Sequence, residues 1–357
     1  MTGLALTNRR ELPAAAKVEV STDVREAEWD AFVIAQPSAT GYHRWAWRRV
    51  FERAFCHETR YLAAREHDRI TGVLPLVILD SWLFGRFVVS LPFVNYGGVL
   101  ATGSEVATAL VDAAVAVGRQ HRAAYVELRH AERQCAHLTP KRHKVAMTLP
   151  LPHDAQRLWL ALDRKVRNQI RKAEKSRLEA SIGGIELLPA FYAVFARNMR
   201  DLGTPVYHQR FFQEVLRQFP ADAAVCVVKH GDVPVAAAIG LWCGGILEVP
   251  WAGSLRTHRS SCPNQLLYWT MLQHAISRGC STFDFGRSTP GGGTFDFKRQ
   301  WGAVPHELCW EYALLSKREL PDLNPANPKY GSAIAIWKRL PVSLTTWVGP
   351  AIVRSIP

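Results

Sequence analysis

The chain has 357 residues, 48% of them hydrophobic and 12 of them Trp, which excludes a disordered or fibrous protein and suggests two domains of ordinary size. Lys and Arg outnumber Asp and Glu by 44 to 31, and the formal charge of +13 favours anionic partners: phosphates, RNA or an anionic membrane surface. The seven cysteines form no C-x-x-C pair, which argues against a zinc site or a disulfide framework and for a reducing compartment.

At the amino end, residues 1–16 read as a disordered tail, without the basic stretch and sustained apolar run of a secretory signal. A short strand is predicted over 18–20, and two helices over 26–34 and 43–55, separated by the breakers Pro37 and Gly41. A hairpin follows in TRYLAAREHDRITGVLPLVIL, with its turn at 66–69. Strand-like RFVVSL and FVNYGGVLA come next, then an Ala/Val-rich helix over 105–121 and the strand YVELRH at 125–130.

The second half repeats that order. MTLPL is strand-like, two helical segments span 154–178, and GIELL reads as a strand leading into helices over 190–202 and 208–219. A hairpin turns at His230, Gly231 and Asp232, ILEVPWAGS is a strand, 264–278 a helix and TFDFGR a strand. Asn95–Gly98 corresponds to Pro250–Gly253 at a shift of 155 residues, and Tyr125–Glu127 to Thr282–Asp284 at 157. Such a period points to two copies of one mixed α/β domain, since solenoid repeats are far shorter. The expected organisation is a tail over 1–16, a first domain over 17–145, a second over 146–318 carrying the functional motifs, and a Pro-rich extension over 319–357. The apolar segment 334–353 is interrupted by Lys338, Arg339, Pro341 and Pro350. It reads as docked on the body, with a membrane surface as the alternative. No apolar run reaches the ~18 residues of a membrane span, so the expected location is the cytoplasm, with peripheral contact to the inner membrane as the variant.

Residues 281–302, STFDFGRSTPGGGTFDFKRQWG, hold the densest chemistry. They read as a strand, a Pro-Gly loop and a second strand with a charged face, and the loop and FDFKRQWG have no counterpart in the first copy.

The repeated strand–helix–helix–strands–helix–strand order resembles the GNAT acyltransferase fold. In tandem it resembles the FemAB family of peptidyltransferases, on Lys165–Ala173 (KVRNQIRKA) and Phe297–Gly302 (FKRQWG). Phe195–Pro205 (FARNMRDLGTP), Phe283–Ser288 (FDFGRS) and the Asn324-Pro325 and Asn327-Pro328 pairs look like the branch associated with exosortase/PEP-CTERM and exopolysaccharide systems of Gram-negative bacteria. The resemblance implies an α/β (α+β) fold of two tandem GNAT-like (acyl-CoA N-acyltransferase) domains, each a mixed sheet flanked by helices. FemAB-like enzymes move an aminoacyl group from aminoacyl-tRNA to an amine of a peptidoglycan precursor, whereas other tandem GNAT relatives use acyl-CoA or act in polysaccharide biosynthesis. The implied partners are an acyl donor and an envelope or exopolysaccharide precursor, with no tightly bound cofactor and no metal. The alternatives are an acyl-CoA-dependent acetyltransferase acting on a sugar amine, and a non-catalytic scaffold binding anionic glycan carriers.

In such a reaction an amine attacks an ester or thioester carbonyl through a tetrahedral oxyanion. The resemblance places Lys298 at that oxyanion. The other reading of Lys298 is a cation packed on Phe297 and Trp301. Asp284 is a candidate general base. Glu248 occupies the position of the base in many GNAT enzymes, or is an outward strand residue. Arg287 suits a phosphate or carboxylate, or an ion pair with Asp284 or Asp296. Arg299, Trp301 and Phe297 are candidate substrate contacts. Arg164, Lys165, Arg167, Arg171 and Lys172 crowd one helix, joined by Lys175 and Arg177, and Arg164, Arg167, Arg171 and Lys175 share a face suited to an anionic partner. The Gly-rich loop that binds the CoA pyrophosphate in GNAT enzymes has no match at 255–264 or 101–106, where Arg256, His258 and Arg259 offer cations instead.

Overall fold

A computed structural model describes residues 18–81, 84–316, 319 and 331–356. From the amino end, β1 (Glu19–Ser21) leads into α1 (Glu26–Ala35) and α2 (Ala46–Phe55). The hairpin of β2 (Glu58–Glu66) and β3 (Arg69–Ser81) precedes β4 (Gly85–Val89), β5 (Leu100–Ala101), α3 (Ser104–Gln120) and β6 (Tyr125–His130). Then come β7 (Thr139–Lys141), β8 (Val145–Pro150), α4 (Ala155–Ala161) and α5 (Arg164–Lys175). The second run is β9 (Leu178–Gly183), α6 (Leu188–Leu202), α7 (Gln209–Gln218), β10 (Ala223–His230), β11 (Val233–Cys243), β12 (Ile246–Ser254), α8 (Pro263–Ser277) and β13 (Thr282–Ser288). It closes with α9 (Gly293–Arg299), β14 (Val304–Glu307), β15 (Cys309–Leu314), α10 (Gly331–Trp337) and α11 (Val342–Val353).

The strands form two mixed sheets, ordered β1-β2-β3-β4-β6-β15-β7, with β5 on β3, and β14-β8-β13-β12-β11-β10-β9. Each contains one parallel pair, made by a helical crossover: β4 with β6 through α3, and β12 with β13 through α8. Both pairings last three residues, Phe87–Val89 with Tyr125–Glu127 and Ile246–Glu248 with Thr282–Asp284, after which the strands part. The predicted correspondence of Glu127 with Asp284 is therefore also one of register.

The sheets do not follow the chain's midpoint. β15, inside the range expected for the second domain, pairs with β6 of the first sheet, while β8 pairs with β13 of the second. The first sheet is thus completed by a strand that follows the second sheet's run, whereas β8 opens the second run. Burial explains why β15 stays there: Cys309, Trp310, Glu311 and Tyr312 are all inside. Glu311 lies within hydrogen-bond distance of His130 Nδ1, at 2.7 Å, and accepts the backbone N–H groups of Gln134 and Cys135. One apolar core also runs across both halves, joining Trp47, Phe87 and Tyr125 to Phe191, Phe211 and Trp251. Gly98 sits in that seam, where a Cβ would overlap His130 Cδ2. Because His130 is pinned by Glu311, Gly98→Ala is expected to cost about 1–3 kcal/mol, read as a lower urea midpoint at unchanged slope.

Three local expectations need correction. GIELL is not a strand: Ile185–Leu187 is a 3₁₀ turn running into α6, because Glu186 folds back to accept the Gly184 N–H at 2.6 Å. The strand is Leu178–Gly183, set up by the left-handed Arg177 (φ 55°) that ends α5. FVNYGGVLA is largely a loop, of which only Leu100–Ala101 joins the sheet. FDFKRQWG is not a second strand but α9 and the turn after it: Phe297 and Trp301 are four apart and both face Tyr268, at 5.3 and 6.3 Å. At the carboxyl end α11 docks on α6. Arg200 donates to the Leu340 carbonyl, Arg354 to that of Phe55, and His57 to that of Arg354. The tail at 1–16 and the Asn-Pro pairs near 325 lie outside the described residues. No helix among the described residues is long and apolar enough to cross a membrane.

Candidate active site

The parallel register of β12 and β13 sets Glu248 beside Asp284 at the last paired position before the strands part. Both are buried, 8% and 4% exposed, so neither is the solvent-facing strand residue that the simpler reading of Glu248 requires. The loop between β4 and β5, from the first half, reaches into the opening. Asn95 Nδ2 donates to Glu248 Oε1, and the Tyr96 hydroxyl donates to Asp284 Oδ2 at 2.7 Å. This loop carries Leu91 and Phe93 at φ 57° and 71°, a strained conformation for bulky residues. It is braced by Arg129, which donates to the Val94 carbonyl at 2.6 Å. Across from it Gly286 (φ 73°) has room for no side chain: a Cβ would lie 3.0 Å from the Val249 carbonyl and 3.4 Å from Asn95 Nδ2.

Lys298 comes from α9 on the far side of Asp284. The aromatic packing of Phe297 and Trp301 drives the helix down, and the ammonium donates to the carbonyls of Gly286 at 2.9 Å and Arg287 at 3.0 Å. An ammonium has three N–H groups, so one stays uncommitted among the described residues.

Burial, and then the Asp284 charge, push the Glu248 carboxyl up to about 8, against the hydrogen bond from Asn95 and the charge of Lys298. Burial also raises Asp284, opposed by the Tyr96 hydroxyl, the Gly286 N–H and Lys298. Two carboxylates that interact this strongly do not both ionise freely, so burial and their mutual repulsion raise the proton affinity of the pair as a unit. Burial pushes Lys298 down to about 8, against the pull of both carboxylates.

Above the pair lies a cavity of about 230 Å³ between the halves, with Tyr42, Trp47 and Tyr96 from the first half and Trp242, Glu248 and Asp284 from the second on its wall. The Tyr42 hydroxyl is buried beside the Glu248 carboxyl, whose charge and nearness hold its proton on. Lys298 is behind this wall, not on it.

The other candidate residues fall elsewhere. Phe297 and Trp301 are packing residues around Tyr268, and Arg299 is exposed beside Phe295 at 5.9 Å. Arg287 forms no ion pair with Asp284 or Asp296 and lies over the Trp310 ring at 5.1 Å. On α5, Val166, Ile170 and Ala173 are buried, while Arg164, Lys165, Arg171 and Lys172 face solvent, with Arg171 also over Trp159 at 5.4 Å. Arg167 is half-buried. None of these five cations has an ion pair among the described residues. Lys165 shares a surface hollow with Arg299, which joins the basic helix to the helix carrying Lys298. Arg256 and Arg259 are exposed on a 3₁₀ turn before α8. Among the described residues no group of His, Cys, Asp or Glu is placed to hold a metal. Asn95, Tyr96 and Tyr42 were not legible as site residues. Asn-Tyr-Gly-Gly after an apolar strand signals a loop, but nothing local says what it touches.

Residues 162–299 match the acetyltransferase (GNAT) domain family. No curated protein matches the chain. Among solved structures, FemX aligns over 88% of this chain and 100% of its own at 15% identity and a TM-score of 0.63. A tandem GNAT protein from the clavulanic acid biosynthesis pathway aligns over 83% of this chain and 98% of its own, at 10% identity and TM-score 0.53. The chain has a tandem GNAT fold. A third neighbour of this tandem GNAT chain is the C-terminal domain of a putative lysylphosphatidylglycerol synthetase from Agrobacterium fabrum, over 92% and 96% of the two chains at 9% identity and TM-score 0.54. At these identities the neighbours show the fold, and the domain match falls within the second half.

Proposed function

We propose that this protein is a FemAB-like N-acyltransferase that moves an acyl or aminoacyl group onto an amine of a cell-envelope or exopolysaccharide precursor, in the manner of the exosortase-associated branch its motifs resemble. The observation that carries the reading is the Glu248–Asp284 pair, buried side by side on the wall of a cavity shared by both halves, with the Lys298 ammonium behind it. The acceptor amine attacks the donor carbonyl, and its ammonium proton passes to the carboxylate pair, whose raised affinity suits a base working near pH 8. The tetrahedral intermediate then collapses, breaking the donor's ester or thioester bond, and the departing oxygen or sulfur leaves with that proton as a hydroxyl or thiol. From behind the cavity wall, the positive charge of Lys298 keeps the pair available as carboxylate. The unpaired basic face of α5 suits the phosphates of tRNA or of a carrier-linked precursor.

The donor is tested by giving the purified protein labelled aminoacyl-tRNA and acetyl-CoA separately, each with a cell-precursor extract. Transfer from aminoacyl-tRNA supports the proposal, while transfer from acetyl-CoA alone assigns the acetyltransferase alternative, for which the exposed Arg256 and Arg259 would supply pyrophosphate contacts. Binding of precursor without transfer from either donor assigns the scaffold.

Lys298→Met is expected to lower kcat/KM at neutral pH by about tenfold for each pH unit by which the pair's proton affinity rises. It should also move the rising limb of the pH profile to higher pH. The sign follows from charge: Lys298 lowers the proton affinity of both carboxylates, so its removal lets them rise. A limb that stays in place or moves down would separate Lys298 from the pair.

A further inference from the structure

A second cluster lies where β13 leaves the active site, and the transfer step does not use it. Arg129 and Arg287 both lie over the Trp310 ring, at 4.2 and 5.1 Å, and the His143 ring meets its edge at 5.7 Å. Lys144 stands alongside, its ammonium donating to Thr289 Oγ1 at 2.6 Å. These groups come from four parts of the chain: β6, the β7–β8 connection, β13 with the residue after it, and β15.

The charges do not balance. Glu127 is the carboxylate in reach of Arg287, and it is already engaged by Arg129 Nε at 2.8 Å and the Tyr312 hydroxyl at 2.9 Å. Arg287 and Lys144 are left without an ion pair among the described residues, though each is partly buried and repelled by its neighbours. Crowded, desolvated cations with no counter-ion are costly to hold together unless an anion joins them. Two buried donors nearby are also unpartnered, the Trp310 Nε1–H and the Ser288 hydroxyl. Two uncompensated charges beside two spare donors match a dianionic group of tetrahedral oxygens better than a single carboxylate.

We infer that Arg287 and Lys144, over Trp310 and backed by Arg129, form a phosphate-binding site at the seam of the two halves. Its position extends the transfer reading and rests on it for the substrate's identity. The Arg287 carbonyl holds Lys298, and Arg287 lies within electrostatic reach of Tyr42 on the cavity wall, so the substrate would carry a phosphate group close to the reacting amine or carbonyl.

Binding can be measured without turnover, which separates this site from the reaction. The full chain is titrated with inorganic phosphate at constant ionic strength, by calorimetry and thermal shift, with chloride and acetate as the other arms. Phosphate is expected to raise the melting temperature above either comparison anion, and Arg287→Met and Lys144→Met are each expected to weaken phosphate binding at least tenfold. Phosphate no better than chloride, acetate equal to phosphate, or undiminished binding in the variants would overturn the site. Should Arg287→Met fail to fold, the partly exposed Lys144→Met decides. Phosphate binding in a protein that transfers no acyl group would uphold the site while removing the transferase reading.

Discussion

Asp284→Asn and Glu248→Gln are each expected to lower kcat/KM for amine acylation by about 10²–10⁴-fold, the scale of a lost general base. Asn at 284 removes a carboxylate held by the Tyr96 hydroxyl and the Gly286 N–H, and Gln at 248 removes the partner that shares its proton. Their stabilities should part company. Burial gives Glu248 a proton affinity near 8 in the fold against 4.5 ordinarily, so the folded chain binds that proton more tightly than the unfolded one. Wild-type stability therefore falls as pH rises between those values, the reverse of the usual carboxylate case. Glutamine has no proton to lose and keeps an oxygen for Asn95. Its melting temperature should gain on wild type across that window, with the full advantage above about pH 8. Scanning calorimetry from about pH 5 to 9 reads the trend. A variant that gains stability as it loses turnover has the trade-off of a functional site, whereas full turnover in Glu248→Gln would take the pair out of the reaction.

The second large effect belongs to the exchanged strand. Glu311→Ala is expected to destabilise the protein by about 3–5 kcal/mol, the scale of leaving several buried donors unsatisfied at about 1–3 kcal/mol each. Glu311 is fully buried. Burial pushes its carboxyl up, but the hydrogen bond from His130 and the N–H groups of Gln134 and Cys135 outweigh that and hold it below its usual range. Alanine leaves those partners unsatisfied, and the other ring nitrogen of His130 already has none. Chemical denaturation gives the loss directly. Glu311→Gln, which keeps the shape and one acceptor, should fall between wild type and alanine. Since β15 carries Trp310, the alanine protein should also bind phosphate more weakly. A loss under 1 kcal/mol would mean that β15 is held by apolar packing alone.

Much of this architecture is visible along the chain. Apolar runs bounded by polar turns set β2, β3, β10 and β11, and the turns at residues 66–69 and 230–232 fall where predicted, because hairpin geometry is decided by neighbours. YVELRH and TFDFGR were legible as equivalent strands, and their glutamate and aspartate do occupy equivalent register positions. The failures were of another kind. FDFKRQWG alternates aromatic and polar residues like a strand, yet folds as a helix because Phe297 and Trp301 meet Tyr268, which comes from α8. The candidate site divides the same way. Glu248, Asp284, Lys298 and the basic face of α5 were found from residue type and motif, while Asn95, Tyr96 and Tyr42 were not.

By itself, then, the sequence determined the order of elements, the duplication, the unpaired positive charge of α5 and the stretch from Ser281 to Gly302 that the second half adds. Those are matters of periodicity, composition and spacing. Only the tertiary structure decided that β15 crosses back to complete the first sheet, that a strained first-half loop closes on Glu248 and Asp284, and that Lys298 stands behind that pair. Asn95 and Glu248 are 153 residues apart. Their meeting depends on burial of one core across both halves, and no local pattern along the chain encodes it.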